Sequence, residues 1–127
     1  MSISPSPLLV QAHRAATGSP VADIVRVLCD LLTRDLTAYL VGVSDAGTVT
    51  RWAAGNVSPR PASEQRLRLA FEIVQLLRSA GSGDETVRAW FLGLNPHLDD
   101  VPPAEAIREG QLRETLAAAR AFVANSY

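Results

Sequence analysis

Apolar residues recur along this chain at three- and four-residue intervals, and no segment sustains the period-two alternation of a half-buried strand. Val21, Ile24, Val25, Leu28, Leu31 and Leu32 form one helical stripe. Ser19-Pro20 reads as its start, with Ser as cap and Pro at the first helical position. Leu36 to Val41 is a short helix stopped by Gly42. Ser44 is a candidate cap for a second short helix, from about Asp45 to Ala54, which Gly55 stops. Two short helices joined by a glycine-containing turn make a helix-turn-helix pattern, with Val49 and Trp52 as the inward contacts of the second helix.

Asn56 to Pro61 is a proline-broken link. A longer helix from Ser63 to Ser79 follows, with Leu67, Ala70, Phe71, Val74 and Leu77 on one face and Leu69, Ile73 and Leu76 widening it, so it is apolar on more than one side. It is expected to be the central strut. Gly81-Ser82-Gly83 breaks the chain, and Ser82 with Glu85 reads as a capping box for a helix reaching Leu92 and Gly93. Pro102-Pro103 starts a short helix that Gly110 ends. A last helix spans Leu112 to about Ala124, with Leu112, Leu116, Ala119, Phe122 and Val123 inward. Met1 to Ser19 has little periodicity and reads as a flexible arm with, at most, a helical turn around Leu8 to Ala16. The expected fold is all-α and compact, divided into an arm (1–19), a helix-turn-helix region (20–80) and a C-terminal half (81–127).

Composition narrows the chemistry. The net charge of −1 argues against a generic polyanion binder, and all twelve basic residues are Arg. A GC-rich genome accounts for that bias; selection for guanidinium chemistry is the alternative. Residues 1–80 carry eight Arg against six acids, and residues 81–127 carry four Arg against seven acids. The halves are therefore +2 and −3. No apolar run approaches the roughly 20 residues that span a bilayer, and no secretory leader pattern is present, so a cytoplasmic protein is expected. Cys29, the single cysteine, excludes an internal disulfide and reads as a buried, inert thiol. His13 and His97 lack partners at metal-ligand spacing, and Gly81-Ser82-Gly83 lacks the strand and lysine of a phosphate loop. The expectation is no enzyme, no metal and no cofactor. Trp90 and Phe91 read as core packing.

The order of the remaining signals is informative. Residues 84–124 resemble the toxin-binding domain of the Xre/MbcA/ParS family of bacterial antitoxins. The resemblance rests on Trp90 at a helix end, then Asn95, Pro96 and Leu98 in a turn, Pro103, Ile107 and Gly110 in a short helix, and Leu116 through Phe122 in a final helix. Upstream, Leu36, Ala38, Leu40, Gly42, Val43 and Ser44 match an Xre-like helix-turn-helix, continued by Thr48, Val49, Arg51, Trp52, Gly55 and Pro59. Together these cover about Val21 to Ala124. The chain departs from the pattern at Asp99-Asp100-Val101, at its doubled proline, and at Asp45 and Gly47.

The resemblance implies an antitoxin of a type II toxin-antitoxin system. Its partner would be a RES-domain toxin that consumes NAD or uses it for ADP-ribosylation, and whose active-site cleft it would cover. The toxin-binding residues expected on this basis are Asn95, Pro96, His97 and Leu98 in the turn, with Arg113, Arg120, Asn125 and Tyr127 on the last helix and tail. Trp90, Phe91, Pro103 and Ile107 would frame them. The alternative is an Xre-type DNA-binding autoregulator reading its own operator through Thr48, Thr50, Arg51, Asn56 and Arg60. Xre-like domains often dimerise, so a homodimer is open; a membrane partner is not expected.

Overall fold

The computed structural model describes residues 6–125. It is all-α, in eight helices among the described residues: α1 (Pro7–Gly18), α2 (Val21–Leu32), α3 (Arg34–Val41), α4 (Ala46–Ala53), α5 (Pro61–Ser79), α6 (Asp84–Leu92), α7 (Pro103–Arg108) and α8 (Leu112–Ala124). A 3-10 turn, Pro96–Leu98, lies between α6 and α7. No described helix is long and apolar enough to cross a membrane.

Helix α5 is the strut that its sequence predicts. Leu67, Ala70, Phe71, Ile73, Val74, Leu76 and Leu77 are all buried, because α1, α2 and α8 pack on different sides of it. The shorter helices α3, α6 and α7 also touch it. An isolated helix of eight or so residues does not persist in water, so α3, α4 and α7 exist by virtue of this packing. Helix α4 closes on α2 and α3 through fully buried Val49 and nearly buried Trp52.

Four helices end in the same way. Gly42, Gly55, Gly81 and Gly110 have φ between 79° and 99°, and the residue after each donates its N–H five positions back along the chain, as Ser82 does to the Leu77 carbonyl at 3.0 Å. A side chain at Gly110 would be strained by this φ and would also stand 3.3 Å from Arg66 Nη2.

Several expectations are corrected. Residues 7–18 are not an arm but a helix lying on α5, with Ala12 and Ala16 buried against it. Its contact face is made of alanines, which let the two helices approach closely. Ser19 ends α1, its N–H donating to the Ala15 carbonyl at 3.2 Å, and Pro20, not Ser19, caps α2. Helix α3 begins earlier than Leu36, at Arg34, with Thr33 Oγ1 accepting from the Leu36 N–H. Asp45 rather than Ser44 caps α4, accepting from the Gly47 N–H at 2.8 Å. The Ser82–Glu85 capping box does not form. The Ser82 N–H is used in closing α5, and α6 starts after Gly83. In α8 the buried residues are Thr115, Ala118, Ala119 and Val123, while Leu112, Leu116 and Phe122 are half-buried. The Thr115 hydroxyl meets its need locally, donating to the Gln111 carbonyl at 2.6 Å.

The arginines have structural work. The last carbonyls of a helix have no partner within it and carry the negative end of its dipole. In five of the helices here a guanidinium from another helix meets them. Arg68 of α5 donates to the Ala16 and Ser19 carbonyls of α1 at 2.7 and 2.9 Å. Arg66, also of α5, donates to Ile107 and Arg108 of α7 at 3.0 and 3.4 Å. Arg88 of α6 reaches Leu31 of α2 at 3.1 Å, Arg26 of α2 reaches Ala53 of α4, and Arg108 of α7 reaches Tyr39 of α3 at 2.7 Å. Arg108 also stacks over the Tyr39 ring, 4.8 Å from its centroid. The planar, many-donor guanidinium suits this task better than a lysine ammonium.

Candidate functional site

The most sharply built surface feature is the turn after α6. Gly93 leaves α6 in extended conformation, and Asn95 then folds the chain back on itself. Asn95 Oδ1 accepts from the His97 N–H at 2.9 Å, and the Asn95 carbonyl accepts from the Leu98 and Asp100 N–H groups, both at 2.9 Å. Asn95 also forms an antiparallel bridge with Val101. Leu98 drops into the core at 5% exposure and anchors the turn. Asp99 and Asp100 follow in left-handed conformation, at φ 54° and 63°, which short polar side chains tolerate.

This turn and the C-terminal half of α8 form the two walls of a groove of about 330 Å³. Asn95, Pro96 and His97 line one wall, and Ala118, Phe122 and Asn125 line the other. The last three recur at i, i+4 and i+7, one face of a helix. Ala89, Trp90, Gly93 and Leu94 complete the lining. Trp90 is fixed edge-on against fully buried Phe91, with ring centroids 5.2 Å apart. Its Nε1 is buried and has no acceptor among the described residues. Leu94 at the rim is 73% exposed, the most exposed large apolar residue described.

The expected toxin-binding residues therefore fall in different places. Asn95, Pro96, His97 and Asn125 come together in this groove. Leu98 belongs to the core and is not available to a partner. Arg113 and Arg120 share the opposite face of α8, since at 100° per residue Arg120 lies roughly 200° round from Ala118. Arg120 lines a different groove, beside Leu9, Val10, His13 and Arg14. Tyr127 lies outside the described residues. Sequence reasoning passed over Leu94 and Ala118. The helical phase of Asn125 with Phe122 and Ala118 was the signal for the second.

The residues expected to read DNA lie on and after α4. The Thr48 hydroxyl accepts from Arg51 Nη2 at 3.1 Å, and the Thr50 hydroxyl accepts from Arg34 Nη1 at 3.1 Å. Arg34 is a cation that the sequence did not nominate. Asn56 and Arg60 are exposed in the link before α5. Asp45 covers the Gly47 amide in the first turn of α4 and stands 3.9 Å from Arg51. Its carboxylate occupies the place where a phosphate would approach the helix start.

Cys29 is half-buried on α2, and burial raises its thiol pKa above the ordinary value, with the Thr37 hydroxyl lowering it in part. Asp30 raises it further and Arg34 offsets that in part, so the net shift is away from the thiolate that a reactive cysteine needs. No family model, curated protein or solved structure matches this chain.

Proposed function

We propose that this protein is the antitoxin of a type II toxin-antitoxin system, binding a RES-domain, NAD-consuming toxin and blocking access to its active site. The reading rests on the family resemblance over residues 84–124. One structural observation carries it further. A rigid turn, locked by Asn95 and anchored by Leu98, holds Leu94 out in solvent beside an open groove walled by Pro96, Phe122 and Asn125. A lone leucine in solvent is unremarkable, but one on a pre-organised turn above a groove suits insertion into a partner's cleft. The neighbouring Asp99 and Asp100, within the −3 half of the chain, suit a basic cleft built for a dinucleotide. The protein's role is occlusion by shape, without chemistry of its own. Co-expression with the product of the adjacent gene tests this. If that gene encodes no RES-like protein, or the two do not co-purify, the reading fails.

Operator binding by the α3–α4 pair is the second reading. One observation favours it: Arg34 and Arg51 flank the exposed side of α4, each ordered by a threonine hydroxyl. Mobility shifts on the protein's own promoter at two salt concentrations test it, because phosphate contacts make affinity fall steeply with salt. No shift at low salt leaves the α3–α4 pair as scaffold.

A further inference from the structure

We propose that the groove over α5 between α1 and α8 is a docking site for an acidic amphipathic helix of a protein partner, separate from the groove at the 3-10 turn. Both α1 and α8 pack on α5, with little direct contact between them. The channel they leave has a volume of about 450 Å³ and is lined by Leu9, Val10, His13, Arg14 and Arg120. Leu9 and Val10 are half-buried and give it an apolar floor. Among the described residues no carboxylate lines it. The nearest acid in contact with a lining residue is Glu72 of α5, which is buried and held by His13 Nδ1 at 3.3 Å.

The arginines here differ from most others in the chain. Arg26, Arg34, Arg51, Arg66, Arg68, Arg78, Arg88 and Arg108 all place their guanidinium on a carbonyl, hydroxyl or carboxylate. The Arg14 and Arg120 side chains have no such partner among the described residues, yet they stand together over an apolar channel. Two free guanidiniums in a concave apolar site call for carboxylates, which they bind in a planar, two-bond geometry.

The shape calls for a helix. Two helices lying side by side on a third leave a seat of helical width, into which the ridges of another helix pack. The lining on α1 runs from Leu9 to Arg14, so the seat offers about 9 Å, or between one and two turns, of contact. A second copy of this chain is disfavoured. Two-fold pairing through this face would bring the Arg14 and Arg120 of both copies together, like charge on like charge. The face is also not the one presented to a basic toxin cleft, so the site does not depend on the antitoxin reading.

The test uses the full chain and a fluorescent synthetic peptide of about four helical turns, with leucines at i, i+3 and i+7 flanked by glutamates. Fluorescence anisotropy is read at about 50 and 300 mM salt, beside a peptide with every glutamate replaced by lysine. The acidic peptide is expected to bind, more weakly at high salt, and the lysine peptide not to bind. The Arg14→Glu/Arg120→Glu double variant should lose at least about tenfold in affinity for the acidic peptide and gain binding of the lysine peptide. Arg60→Glu, also exposed and elsewhere on the surface, should change neither. Both arginines are exposed, so melting of the double variant should match the parent; if it does not, Arg14→Ala/Arg120→Ala takes its place with the same expected loss. The proposal is overturned if the acidic peptide shows no binding, if the double variant binds it as the parent does, or if Arg60→Glu weakens it equally. It is also overturned if vesicles of phosphatidylglycerol, and not the peptide, are bound through Arg14 and Arg120.

Discussion

Replacing Asn95 with Ala removes one hydrogen bond from the turn that holds Leu94, and its effect can be worked out in advance. The Asn95 side chain plays the part of an N-cap, accepting the His97 N–H at 2.9 Å. Loss of such a cap costs about 1 kcal/mol, and the half-buried amide left without an acceptor adds up to about another. A total of about 1–2 kcal/mol is small beside the 5–15 kcal/mol that holds a domain together. The variant should fold and melt about 3–10 °C lower by calorimetry. Binding should respond more than folding, because the turn need only open locally. If its closed form is favoured by about 1 kcal/mol, the loss leaves it half to mostly open and weakens capture of a partner about two- to fivefold. Asn95→Ser keeps an acceptor oxygen at the same position and should recover most of both losses. Co-purification and titration calorimetry with the toxin, alongside melting, read the two effects separately. The argument is refuted if Asn95→Ala behaves as the parent in both, or if Asn95→Ser is as damaged as Asn95→Ala.

Further outcomes follow from neighbouring features. Leu98→Ala, at a core site, should cost about 2–5 kcal/mol in chemical denaturation, whereas Leu94→Asp should leave stability within about 0.5 kcal/mol and abolish co-purification with the toxin. Thr33 holds φ 80° and ψ 157°, a region almost reserved for glycine, while its hydroxyl caps α3. Thr33→Gly relieves the strain and Thr33→Ala keeps it while losing the cap, so the glycine variant should be the more stable by about 1 kcal/mol in urea melts. Arg68→Met should lower stability by about 2–3 kcal/mol, since two carbonyls lose a charged donor, and Arg68→Lys should restore only part of it. Cys29, with its pKa raised, should react with a disulfide reagent at pH 8 far more slowly than free cysteine, and equally fast only after unfolding.

What the sequence hid has a common cause. The stripe of α2, the strut α5 and the stops at Gly42, Gly55 and Gly110 were legible because large apolar side chains and glycines announce them. Helix α1 was not, because its buried face is Ala12 and Ala16. The phase of α8 was legible at Ala119 and Val123 but not elsewhere, for the same reason: Thr115 and Ala118 also go inward, and Leu112, Leu116 and Phe122 stay at the margin. Where helices approach closely, small residues form the contact and larger ones are pushed to the groove edges. Ser19 and Ser82 were misread because the residue that could open the next helix is already engaged in closing the last. The turn at Asn95 was readable from its residue types, but the parting of Asn125 from Arg120 across α8 depends on helical phase.

The arginine contacts at helix ends have an order. Helix α5 holds the end of α7, which holds the end of α3; helix α6 holds the end of α2, which holds the end of α4. Each relay begins in the middle or later part of the chain and finishes in the α3–α4 pair. Helix ends ordinarily fray one by one, but here loosening any upstream member frees the one it grips. Amide exchange should therefore run in two ranked series, with the ends of α3 and α4 opening at the lowest free energy and α5 at the highest. A partner that stiffens α6 or α7 would slow exchange in α4 or α3 without touching either.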